Sequence, residues 1–100
     1  MQLISLQPSK SQKVTVTLNG QSCQLKLHQR SDGFYIDLYI NGEAKIQGVL
    51  CENCNFLVRY SYLGFSGDLV FVDTQGTSDP EWSGIGTRYR LYYLTADEIA

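Results

Sequence analysis

Apolar and polar positions alternate with a period of two along most of the chain, and turn residues interrupt the alternation every eight to twelve positions or so. That spacing predicts an all-β fold, an antiparallel sandwich or small barrel of about seven strands, with no long helix. A short strand is expected over 2–6, ended by Gln7-Pro8-Ser9, and a second over 12–18 with Val14, Val16 and Leu18 turned inward. Asn19-Gly20 then closes a hairpin, because both turn positions need positive φ and these two residue types reach it cheaply. Strands over 22–30, 34–40 and 44–51 follow, joined at Ser31-Asp32-Gly33 and Asn41-Gly42. Connections this short make sequential strands antiparallel neighbours in a meander. In the last of these strands Ile46, Gly48 and Leu50 are expected on one face and Gln47 and Val49 on the other, with Gly48 marking a bulge.

Beyond Cys51 the pattern changes. The segments 56–60, Asp68–Asp73 and 88–94 carry apolar residues on both faces: Leu69 and Phe71 oppose Val70 and Val72, and Tyr89, Leu91 and Tyr93 oppose Arg90, Tyr92 and Leu94. Strands of this kind are covered on both sides, here by a loop or by another subunit. Between the last two runs lies a fourteen-residue connection, 74–87, that contains Trp82 and Ile85 but no periodic pattern of its own. A loop of this length in a small domain is disordered or touches something, and an indole in it favours contact. The expectation is that Trp82, Ile85, Val70, Val72, Tyr92, Leu94 and Phe56 face neighbouring proteins. On that reading Trp82→Ala costs on the order of 2 kcal/mol of association and little of the monomer fold. The tail starts with Thr95 and has Glu98 three residues later, the pattern of a capping box.

Composition narrows the class. One hundred residues fit one domain, and 43% apolar with 18% charged residues places the chain among globular proteins. A net charge of −2 with scattered Lys and Arg opposes a nucleic-acid partner, which needs a clustered basic footprint. The seven tyrosines could stack on bases, but a stacking platform also needs a cationic groove. They are expected at interfaces, ring buried and hydroxyl reaching out. No apolar run is long enough to span a membrane, and the first residues lack the basic start and cleavage site of a signal peptide, so the chain reads as cytoplasmic in synthesis.

Chemistry finds little support. An odd count of three cysteines suits a reducing compartment. Cys51-Glu-Asn-Cys54 matches half of a zinc knuckle, but Cys23 and His28 stand five apart on one expected strand and so point to opposite faces. The acidic set Asp68, Asp73, Asp79 and Glu81 lacks the spacing of a calcium loop. Asp73 is expected to accept backbone amides of the following turn, and Asp79 to start an Asp-Pro turn. The lone His28 reads as a structural residue, and no nucleophile, nucleotide or metalloprotease motif occurs. No catalytic residue, cofactor or metal is therefore assigned.

The run from Tyr62 through Asp68-Leu-Val-Phe-Val-Asp73 to Gly76, then Asp79-Pro80, then Gly84-Ile85-Gly86 leading into Arg88-Tyr-Arg-Leu-Tyr-Tyr-Leu94, resembles the small baseplate plug proteins of contractile-tailed bacteriophages. The Thr-Val-Thr-Leu-Asn-Gly hairpin and the Phe-Tyr-Ile-Asp-Leu strand of the first half fit the same pattern. The resemblance implies a structural virion protein without a reaction, on the tail axis, assembled in several copies with hub, spike and tail-tube proteins. It leaves Cys51 and Cys54 unexplained. Two alternatives stay open from the residues alone: a β module that binds a small ligand or oligosaccharide on its tyrosines, and a metal or redox protein built on Cys51 and Cys54.

Overall fold

The computed structural model describes residues 1–58 and 67–99. Among them are seven strands: β1 (Gln2–Ile4), β2 (Ser11–Leu18), β3 (Gln21–Arg30), β4 (Gly33–Ile40), β5 (Glu43–Leu50), β6 (Asp68–Asp73) and β7 (Tyr89–Leu94), followed by the short helix α1 (Ala96–Ile99). They form two antiparallel sheets, β2-β3-β4-β5 and β1-β7-β6, and neither closes into a barrel. The meander of the first half is thus one whole sheet. The chain ends supply the other.

Both Asn-Gly pairs make the expected turns, with φ of 49° and 75° at Asn19 and Gly20 and of 52° and 84° at Asn41 and Gly42. They fix β2-β3 and β4-β5 in register. Inward rows from each strand then meet in one core. Leu18, Cys23, Leu25, Leu27, Phe34, Ile36, Leu38 and Ile40 come from the first sheet, and Ile4, Leu69, Phe71, Tyr89, Leu91 and Tyr93 from the second. Phe34 and Phe71 join the two layers edge to face, their centroids 6.1 Å apart. The molecule is therefore a sandwich.

Strand β5 departs from the expected phase. Ile36 pairs with Val49 whereas Leu38 pairs with Ile46, so two residues, Gln47 and Gly48, stand opposite the single Asp37, one more than regular pairing allows. The bulge falls at Gly48, at φ 62°, a conformation open to glycine at little cost. Asp37 accepts the Gly48 N–H at 2.6 Å. A bulge reverses the side-chain alternation of everything beyond it. As a result Ile46 and Val49 both pack against the core, while Leu50 turns outward and is exposed. This corrects the expected split of Ile46 and Leu50 against Val49.

The strand expected over 56–60 lies partly outside the described residues. Its described part makes a single antiparallel bridge from Phe56 to Val70. Leu57 and Val58 are held in a different way, by a carboxylate. Buried Asp68 accepts the N–H groups of Leu57 at 3.2 Å, Val58 at 2.8 Å and Leu69 at 2.6 Å through one oxygen. Segment 53–58 thereby covers the outer edge of β6, with Cys54 N–H donating to the Phe71 carbonyl and Leu57 N–H to that of Leu69.

Candidate assembly face

The two outer sheet faces differ in chemistry. On the four-stranded sheet the outward rows hold Thr15, Gln24, Lys26, His28, Tyr35, Asp37 and Tyr39, and every ring there has a polar or cationic neighbour. Lys26 lies 4.7 Å from the Tyr39 ring centroid and Arg30 4.9 Å from that of Tyr35. Tyr35 donates to Asp32, and Gln47 donates to the Tyr39 hydroxyl. This is a solvated face. The three-stranded sheet presents the opposite character.

Its outward side chains come from alternate positions of β1, β7 and β6, and the register sets them in rows. Leu3 stands opposite Tyr92, Tyr92 opposite Val70, and Val70 opposite Phe56. Four apolar or aromatic residues thus cross the whole sheet in one line. Leu3 is 50% exposed and Phe56 40%, while Tyr92 is half-buried between them and Val70 is buried. Neighbouring rows add Arg90 opposite Val72 and Leu94 opposite Asp68. Five of the residues expected at an interface, Phe56, Val70, Val72, Tyr92 and Leu94, therefore share this face. Leu3 joins them unforeseen, because the short strand β1 reveals its outward position only through pairing with β7.

Trp82 and Ile85 lie elsewhere. Ile85 is fully buried in the chain's own core, where it offers no contact to a partner. Trp82 opens a 3-10 turn and packs half-buried against the same core. Its backbone N–H donates to Gln29 Oε1 at 3.1 Å, and Lys10 caps its ring at 5.5 Å. The long loop thus docks on the chain's own four-stranded sheet. An indole in a long loop signals contact, but it does not say with what.

The base of that loop is held by Asp73. Its side chain is fully enclosed and binds Arg88 in a two-pronged pair, Nε to Oδ1 and Nη2 to Oδ2, each 2.8 Å. The same oxygens accept the backbone N–H groups of Gln75 and Ser78, as the turn chemistry predicts. The Arg88 guanidinium, helped by these amides, holds the Asp73 carboxyl well below the usual carboxylate range. Asp79 has a role the sequence did not suggest: it accepts the Asn53 N–H at 3.0 Å, while Asn53 accepts the Asp73 N–H at 2.8 Å. These bonds tie the loop to the turn after β5.

The chemically reactive candidates are dispersed. Cys23 faces the core and His28 the opposite side, where it stacks on Tyr35 with centroids 6.1 Å apart. Burial pushes the Cys51 and Cys23 thiols up, which disfavours the thiolate that metal binding or redox attack needs. Cys54 is exposed. Among the described residues no cluster of three or more His, Cys, Asp or Glu side chains is placed to hold a metal ion.

Fold and faces together define the class: a small two-sheet β module with one wetted and one apolar outer surface. The family model described as cyanophage baseplate Pam3 plug gp18 matches residues 1–97. The chain belongs to that family and is a component of a phage tail baseplate. No curated protein matches it.

Proposed function

We propose that the chain acts as a plug on the tail axis, between tail tube, hub and spike, in several copies, and that it is held there through the outer face of its three-stranded sheet. It reaches the virion from the host cytoplasm during assembly. The work is mechanical and involves no reaction. The observation that supports this reading is the row Leu3, Tyr92, Val70 and Phe56, extended by Val72 and Leu94. An apolar stripe that crosses an entire sheet has no use in water, and aromatic side chains of this kind supply much of the free energy at interfaces. The opposite sheet has no comparable stripe, so the preference is directional.

The test replaces two partly exposed members, Leu3→Ser and Tyr92→Ser, and measures co-purification with the hub, spike and tube proteins of the same phage. Each substitution is expected to weaken association by about 2 kcal/mol and to leave the melting temperature nearly unchanged. A double variant that enters tails as well as the parent does would show that this face is not the docking surface.

A further inference from the structure

Among the described residues of the sheet, the apolar face contains one cation, and its position is specific. Arg90 lies on β7 two residues before Tyr92 and so points to the same side. It is exposed. On one flank its cross-strand neighbour is Val72. On the other flank the β1 ladder ends at the pair Ile4 and Leu91, so no further strand residue lies beside it. The chain of β1 instead turns away through Ser5, Leu6 and Gln7 and leaves a groove of about 230 Å³, lined by Leu3, Ser5, Gln7, Gly86 and Arg90 among others.

The remaining described arginines are engaged within the chain: Arg88 is bound by Asp73 and Arg30 lies over Tyr35. Among the described residues no carboxylate stands within ion-pair distance of Arg90. A guanidinium that becomes covered without an acceptor is strongly disfavoured, so whatever covers this face has to bring one. The planar fork of arginine fits a carboxylate with two parallel bonds, and its weak hydration suits it to an apolar surround better than an ammonium. The free molecule also gains from the charge, since it discourages like faces from associating.

We propose that Arg90 is the polar anchor of the docking face and pairs with a carboxylate borne by an apolar segment of a neighbouring tail protein, which lies in the groove beyond the end of the β1 ladder, between Ser5 and Gln7 on one side and Gly86 and Arg90 on the other. This rests on the reading that the face docks a tail protein, and it adds the chemistry of the partner. The position of the cation at the end of the β1 ladder also sets the register of the partner across the apolar row.

The experiment measures binding of the intact chain to the hub, spike and tube proteins in turn, with R90E, R90A and R90K beside the parent and Tyr92→Ser as the apolar control. R90E is expected to lower affinity for one of the three at least tenfold and R90A somewhat less. R90K should keep part of the affinity, because charge remains while the two-pronged geometry is lost. Melting temperatures should stay level, since Arg90 is exposed. An Asp→Arg or Glu→Arg change in that partner that restores binding to R90E identifies the carboxylate. If R90E binds every partner within twofold of the parent while Tyr92→Ser does not, the anchor is refuted and the docking face stands. If neither variant changes binding, the face itself is refuted. If R90E alters only self-association, the occupant is a second copy and the proposal is also wrong.

Discussion

At the scale of single residues, three side chains hold together parts that the strands alone would leave loose. Asp68 satisfies three backbone N–H groups around Leu57, Val58 and Leu69. Leu57 keeps the Leu69 carbonyl as a second acceptor, but removing the buried carboxylate takes this acceptor from Val58 and Leu69, so Asp68→Ala is expected to cost about 3 kcal/mol in urea unfolding, and Asp68→Asn, which keeps one acceptor, less. Trp82 packs on its own core and is held by Gln29. Its replacement by Ala should therefore reduce the stability of the isolated chain by about 2 kcal/mol, below the range for a fully enclosed ring, and unfolding that matches the parent would show the packing to be idle. Asp73 gives a pH signature. Its folded pKa is lowered by Arg88 and the turn amides, so the folded state holds its proton less tightly than the unfolded state does. The stabilisation is complete above the ordinary carboxylate value, near 4, and is lost as pH falls below it. Melting temperatures recorded from pH 7 to pH 2 should fall less steeply at the acid end for Asp73→Asn than for the parent. Parallel curves would mean that the ion pair does not carry the acid sensitivity.

At the scale of elements, local chemistry and pairing reinforce one another. The Asn-Gly turns set the hairpins, and the capping box of α1 forms as its residues suggest, with Thr95 N–H donating to Glu98 Oε1 at 3.0 Å and Glu98 N–H to Thr95 Oγ1 at 3.4 Å. Gly48 was legible as a bulge, but its effect on Val49 and Leu50 was not, because strict alternation cannot be carried through an inserted residue. Gly48→Ala places an L side chain at φ 62° and should cost about 1 kcal/mol in chemical unfolding, with the sheet otherwise retained. A neutral result would mean that β5 can re-register without the bulge. The long loop was the hardest element to read. Its length and its indole announced a contact, yet the contact is with Gln29, more than fifty positions away in the chain. Nothing within the loop itself specifies that partner.

At the scale of the whole molecule, the decisive property is the difference between the two sheet faces. Tyr35 and Tyr92 make the comparison direct, since both are half-buried tyrosines on outward rows. One is surrounded by Asp32, Arg30 and His28, the other by Leu3 and Val70. Tyr35→Ser should leave incorporation into tails unchanged, whereas Tyr92→Ser should reduce it about tenfold or more, as quantified in purified tails. Equal effects from the two would imply that both faces are covered in the assembly. Five of the seven residues expected at an interface were found together: the strand period pairs Val70 with Val72 and Tyr92 with Leu94, and the β6-β7 register and the bridge from Phe56 to Val70 bring all five to one side. Trp82 and Ile85 were separated from them by folding of the loop.

Taken alone, the order of residues determined which side chains share a strand face, where the hairpins turn and that the fold is all-β. These follow from a two-residue repeat and from turn conformations, both of which depend on near neighbours. Only the tertiary structure decided that the chain ends pair to form the second sheet, that Leu3 completes the apolar row, that the tryptophan is turned inward and that Arg90 is left uncovered beside a groove. Each of these depends on which distant segments come into contact, and on where a short ladder stops. Periodicity along the chain carries no information about either.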